Sequence, residues 1–244
     1  MKKNYWFIIL TYIVMQFSGI VGIKLFALLH IGNTNAELVA YWTIFSFTVA
    51  LIITLLLLRN DREDARLLRG EPASVGSSIG WAIGGVFLAL FAQMIAANLE
   101  MYLFGIEPGS ENTQTIVKLI KASSLLIIVT SVIGPILEEI IFRKIIFGVI
   151  YHRSNFVIAA LISSFLFSIL HGEPEHFLIY ASMGFTFAFL YVKTKRIIVP
   201  IFAHVAMNTL VIIMQFVLAD QIENLEKTLE QMEQMQVIIG GFLL

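Results

Sequence analysis

The chain reads as an all-α, polytopic membrane helix bundle. Three observations carry this. Of its 244 residues 58% are hydrophobic and only 14% are charged, with a mean hydropathy of +0.87, whereas a soluble domain carries about 25% charged residues. Apolar stretches long enough to cross ~30 Å of hydrocarbon, about 20 residues as helix, recur along the whole length. The polar side chains that interrupt them gather in the later stretches. About seven transmembrane helices are expected, within a range of six to eight. There is no cysteine, which removes disulfides, thiol nucleophiles and thiolate metal sites. The formal net charge of -1 argues against nucleic acid as a partner.

In chain order, the first apolar stretch, roughly 5–29, follows Met1-Lys2-Lys3-Asn4 and continues to Leu29 without a small-residue cleavage site. It is therefore expected to be a retained span and not a signal peptide. The second and third, roughly 38–58 and 77–97, flank a charged connector at 59–72. The fourth, roughly 122–150, ends at a turn near His152 to Asn155. The fifth and sixth, roughly 155–176 and 177–192, are separated only by the polar break His171-Gly172-Glu173-Pro174-Glu175-His176, and the seventh covers roughly 197–219.

Lysine and arginine placement sets the orientation. With the N-terminus inside, Lys2, Lys3, Arg59, Arg62, Arg66, Arg69, Arg143, Lys144, Arg153, Lys193, Lys195 and Arg196 face the cytoplasm, 12 of the 16. Residues 1–219 are expected to form one transmembrane domain, and 220–244 a C-terminal tail. Ile222, Leu225, Leu229 and Met232 recur at helical spacing among Glu and Gln, a pattern that suits an interfacial amphipathic helix and a solvated tail about equally.

The chemistry concentrates in three clusters. Gly134-Pro135-Ile136-Leu137-Glu138-Glu139-Ile140-Ile141-Phe142-Arg143 puts two acids and a guanidinium inside the fourth span. A charge at the bilayer centre costs from ~2.5 to over ~10 kcal/mol, so such residues face the bundle interior, pair, or serve a function. Glu139 and Arg143 stand four apart in the favourable order for an ion pair, and Glu138 projects about 100° away. A buried ion pair that fixes packing accounts for two of the three residues and leaves Glu138 over. Pro135 removes a backbone donor just upstream, which predicts a bend and a freed carbonyl beside that acid.

His171, with Phe167 one turn before it, ends the fifth span. A rise of about 1.5 Å per residue puts Glu138 about 20 Å and His171 about 24 Å from the intervening turn, so a hairpin brings them to similar depth. His204 and Asn208 share a face of the last span, after Pro200. Alone, each is a common helix-to-helix hydrogen-bonding device. Together the clusters supply a base, an orienting cation, imidazoles and donors for an oxyanion.

Glu138-Glu139-x-x-x-Arg143, Phe167-x-x-x-His171 and His204-x-x-x-Asn208, in that order on late helices, resemble the CPBP family of intramembrane endopeptidases. That family includes type II CaaX prenyl proteases and the bacterial Abi and bacteriocin self-immunity relatives. The resemblance covers about residues 115–215, and it implies that these form the catalytic core, with the active site inside the bundle. It implies a hydrolase for membrane-associated proteins or peptides in which Glu138 activates water shared with His171, Glu139 and Arg143 hold the constellation, and His204 with Asn208 stabilises the oxyanion. A metal-free glutamate mechanism is expected, because Asn208 one turn from His204 suits oxyanion donation. The alternative is zinc held by His171, His204 and Glu138, a familiar ligand set with an open water position.

Two other classes compete: a proton- or ion-coupled transporter, for which the paired inverted repeats are missing, and a non-catalytic membrane scaffold or immunity protein. The substrate classes that fit are a prenylated tail, a peptide pheromone precursor, a bacteriocin precursor and a membrane-bound regulator. The expected setting is a bacterial plasma membrane. His30 and His152 read as solvated turn residues, and Glu173, Glu175 and His176 as a wet loop in preference to a substrate entrance. Lys24, inside the first span, has no assigned role.

Overall fold

The computed structural model describes residues 1–59, 68, 70–107 and 109–216. The charged side chains at 60–67 and 69 and the expected tail helix at 220–236 lie outside the described residues. The chain divides into two compact units, Met1–Thr209 and Leu210–Leu244, and the candidate site belongs to the first. Every regular element among the described residues is helical.

Helices α1 (Lys3–Phe17) and α2 (Gly19–Leu28) are bent by 55° where a single span was expected. The Ser18 hydroxyl donates to Met15 O at 2.7 Å and accepts the Trp42 indole N–H at 3.0 Å. The Trp42 ring sits so close to Gly22 that an added Cβ would stand 1.9 Å from it. Trp42 belongs to α3 (Asn35–Leu58), which starts in a capping box in which Thr34 and Glu37 each satisfy the other's backbone N–H. Helix α4 (Val75–Phe104) begins at the Ser74 cap and stops at Gly105, whose φ of 68° is the left-handed conformation glycine adopts without a Cβ penalty.

Helix α5 (Glu111–Ala122) was not anticipated from the sequence. It is short and largely polar, and the Ser110 hydroxyl accepts the Thr113 N–H at its start. A long rod, α6, then runs through 126–153 as alternating α and π segments, with π winding at Val129–Ile133 and Glu139–Phe147. Helix α7 (Phe156–Ile169) is capped by Asn155. A turn and the 3-10 segment Pro174–His176 lead into α8 (Phe177–Thr194), and α9 covers Ile198–Phe216.

Among the described residues four helices are long and apolar enough to span a membrane, or five when the bent α1–α2 pair counts as one. The remaining two expected spans are the segmented rod and the 14-residue α7, so about seven is consistent with this architecture.

Helix α8 is the axis, packed along α4 on one side and α7 on the other. In a bilayer, burying apolar side chains against each other gives little over burying them in lipid, so close backbone approach and van der Waals fit hold such helices together. Gly184 of α8 supplies this against α7: a Cβ there would lie 2.7 Å from Ser164 Oγ and 3.0 Å from Ser164 Cα. Gly184→Val should therefore cost at least ~2 kcal/mol through overpacking and lower the melting temperature in detergent. Gly80→Ala, with nothing within 4 Å, should leave the melting temperature unchanged or raised.

Candidate active site

The rod α6 presents the acids, and its winding explains how. Gly134 N–H donates to Val129 O, one residue further back than in an α-helix. In that winding the carbonyl of Thr130 falls to residue 135, and Pro135 has no N–H to give. Asn208 Nδ2 of α9 lies 3.5 Å from the Thr130 carbonyl oxygen. The carbonyl freed by the proline is thus present as expected, and the rod on either side of it is π-wound, a device frequent at functional sites. In the second π segment Ser163 of α7 donates to Phe142 O at 2.8 Å, binding α7 to the rod beside Arg143.

Glu139 is the centre of the charged group. It is fully buried, with Oε2 3.3 Å from Arg143 Nε and Oε1 2.9 Å from His204 Nδ1. The Glu139–Arg143 pair expected from the i,i+4 spacing is therefore present, and His204 joins it from α9. Arg143 is also fully buried. Its guanidinium lies 4.3 Å from the Phe167 ring centroid and 5.3 Å from that of Phe187, a cation–π setting that compensates in part for lost water. The 3.3 Å contact is an ion pair without hydrogen-bond geometry, and none of the Arg143 nitrogens has a hydrogen-bond partner among the described residues.

Glu138 differs from its neighbour in exposure. Its side chain retains 20% exposure, and Oε2 stands 3.7 Å from His204 Nε2, beyond hydrogen-bond length. His204 stacks on Phe187 at 4.7 Å and 20°, and each of its ring nitrogens faces one acid of the tandem. His171 Nδ1 lies 2.8 Å from Phe167 O. A carbonyl only accepts, so Nδ1 carries the hydrogen, and in the neutral ring Nε2 then keeps its lone pair. The ring of Phe167 ties the clusters together, with its centroid 4.5 Å from that of His171, 6.0 Å from that of His204 and 5.3 Å from that of Phe142.

Glu138, Glu139, Arg143, His171 and His204 thus gather around one aromatic ring. Asn208 is in the same region, engaged with the rod backbone. Among the described residues, no three His, Asp or Glu side chains come close enough to hold a metal ion.

Several neighbours escaped the sequence reading. Tyr12 of α1 is 5% exposed and meets Phe142 edge-on at 6.3 Å, so the first span contributes more than hydropathy. Glu100 of α4 is buried and accepts from Leu178 N–H at 2.8 Å and Ile179 N–H at 3.1 Å, with His176 Nδ1 3.0 Å away. A lone acid at the end of an apolar run was a visible signal, but the expected span stopped at 97.

The segment after His171 is also not the wet loop expected. Glu173 and His176 are buried, while Gly172, Pro174 and Glu175 are exposed. Glu173 accepts from Ser110 Oγ, Asn112 N–H and the Tyr180 hydroxyl. Burial pushes its carboxyl up, but the Asn112 N–H, the two hydroxyls and nearby His176 outweigh this and hold it below the usual carboxylate range.

An all-helical membrane protein with paired acids, an arginine and two histidines gathered around a buried aromatic ring has the make-up of an intramembrane hydrolase. The family model described as Type II CAAX prenyl endopeptidase Rce1-like matches residues 121–210. The chain is 52% identical to the putative membrane peptidase YdiL of Bacillus subtilis (strain 168), with all of both chains covered. It is 30% identical to the membrane-embedded CAAX protease MroQ of Staphylococcus aureus (strain USA300), over 91% of this chain and 92% of that one. No solved structure gives a significant match. The chain belongs to the Rce1-like CAAX endopeptidase family, and the resemblance carried by the three motifs is correct.

The two acids should separate by stability. Removing Glu139 leaves a buried guanidinium without its counter-charge, so Glu139→Ala should destabilise by about 3–5 kcal/mol in denaturant titrations in detergent. Glu138→Gln should shift stability by less than about 1 kcal/mol.

Proposed function

We propose that this protein hydrolyses a peptide bond in a membrane-associated protein or peptide, with Glu138 as the base that activates water. The observation that carries this is the asymmetry of the tandem: Glu139 is sealed between Arg143 and His204, while Glu138 keeps 20% of its side chain open beside an imidazole. A committed counter-ion cannot also accept a proton, whereas an accessible acid can.

In this reading His171, with its hydrogen on Nδ1, uses Nε2 to accept from the same water and orient it. Glu138 takes the proton as water attacks the carbonyl carbon, and returns it to the leaving amine as the C–N bond breaks. His204 in its doubly protonated form gives one hydrogen to Glu139 through Nδ1 and offers the other, through Nε2, to the oxyanion. Asn208 supplies a second donor, since its bond to Thr130 O uses one amide hydrogen of two. Arg143 holds the Glu139 carboxylate on one side, and Glu139 in turn holds His204 in place.

The substrate is proposed to be a prenylated tail, a peptide pheromone or bacteriocin precursor, or a membrane-bound regulator, and the setting a bacterial plasma membrane with the N-terminus cytoplasmic. Terminal proteomics on cells carrying the native protein or Glu138→Gln should reveal at least one cut site, next to a membrane-bound segment, that disappears in the variant. Identical termini in both strains, with the variant folded, would mean a scaffold and not a protease.

With that site in a reporter peptide, Asn208→Ala should lower kcat by about 10²-fold or more and leave KM nearly unchanged, as loss of an oxyanion donor does. Cleavage should survive strong chelators. Loss with chelator, restoration only by zinc and stoichiometric metal in the purified protein would establish the zinc mechanism instead.

A further inference from the structure

A second set of buried contacts reaches His171 from outside the group described above. The Tyr180 ring lies nearly flat on the imidazole, with centroids 4.0 Å apart and planes at 25°. The Tyr180 hydroxyl donates to Glu173. Glu173 is itself fixed by Ser110 Oγ at 2.9 Å and Asn112 N–H at 2.9 Å, both at the start of α5. Tyr180 sits on the first turn of α8, and that turn is held separately by Glu100 through the Leu178 and Ile179 N–H groups.

We propose that Tyr180 is a positioning residue for His171, setting the plane of the imidazole by stacking, while Glu173 sets Tyr180 by holding its hydroxyl. The proposal rests on the catalytic placement of His171 given above. Its physical basis is that a single hydrogen bond, Nδ1 to Phe167 O, fixes one atom of the ring and not its plane. A flat aromatic partner fixes the plane, and so the direction in which Nε2 presents its lone pair. An orientation error equivalent to about 1 Å at a reacting group costs about 10²-fold in rate. Phenylalanine would fill the same space. The hydroxyl adds a tether, which keeps the stacked ring from sliding as substrate enters.

The test uses the full-length protein in lipid nanodiscs, with the reporter peptide built on the cut site lost in Glu138→Gln. Its second readout is the ring-nitrogen NMR signals of His171, assigned through His171→Gln. Tyr180→Leu should lower kcat about 30-fold with KM within about twofold, and the single Nδ1–H tautomer of His171 should give way to a mixture. Tyr180→Phe should recover the tautomer signal and most of the rate, leaving a deficit of about 3- to 10-fold. Glu173→Gln should show the same deficit, and the double variant no more than either alone, because both remove one tether. Glu100→Gln, which loosens the same turn without touching His171, should lower the melting temperature and leave kcat and the His171 signals unchanged.

Unchanged kcat in Tyr180→Leu, multiplicative effects of Tyr180→Phe and Glu173→Gln, or equal disturbance of His171 by Glu100→Gln would each overturn the proposal. If Tyr180→Leu does not fold, the Tyr180→Phe and Glu173→Gln cycle decides by itself. Full cleavage by His171→Gln would remove the catalytic premise, and the proposal with it. An inactive His171→Gln with His171 signals indifferent to Tyr180 would remove the positioning role alone.

Discussion

Arg143 has no route to water. A guanidinium stays charged in any protein environment, and at membrane depth an uncompensated charge is not tolerated. Most of the bundle's inner geometry follows from compensating it. Glu139, one turn earlier on the same rod, supplies the opposite charge, and the faces of Phe167 and Phe187 supply polarisable cover. Those rings belong to α7 and α8, and the second oxygen of Glu139 is taken by His204 of α9. Four helices thus meet at one cation. Such a group is weak evidence for stability, because desolvation offsets much of the attraction, but it penalises misassembly severely. Its value here is that it fixes where His204 and Glu138 stand.

The winding of the rod solves a related difficulty. Two adjacent acids on an ideal α-helix diverge by about 100°, yet here both approach the same imidazole. The rod is π-wound from Glu139 to Phe147, immediately after Glu138, and the carbonyls disturbed by such winding are taken up by neighbours: Phe142 O by Ser163, and Thr130 O, orphaned by Pro135, by Asn208. Backbone groups in hydrocarbon must be satisfied internally. Partners on α7 and α9 make an irregular rod tolerable, and the same two helices carry His171 and His204 at its sides.

At the end of the bundle where α4 stops and α8 begins, two further buried carboxylates take backbone and hydroxyl donors, with His176 beside Glu100. Glu100 accepts the N–H groups that the first turn of α8 would otherwise leave unpaired. Glu173 gathers donors from the start of α5 and from Tyr180. Glu100 therefore holds the start of α8, while Glu173 tethers the Tyr180 ring that lies on His171.

The sequence by itself determined the membrane class, the order of the spans, the Glu139–Arg143 pairing and the three motifs that fix the family, because each depends on composition or on spacing along one helix. It also singled out Glu138 as the acid outside the ion pair, through the 100° between adjacent helical positions. The bend at Ser18, helix α5, and the placement of Tyr12, Glu100 and Tyr180 beside or behind the site were decided only by tertiary structure. Most of those depend on a partner far along the chain: Trp42 for Ser18, Phe142 for Tyr12, Glu173 for the start of α5, and His176 with the first turn of α8 for Glu100. A polar residue near a membrane end looks solvated in sequence, and only the packed bundle shows that Glu173 and His176 are enclosed. Local periodicity records which face of a helix a residue occupies. What that face meets is set by how the helices pack.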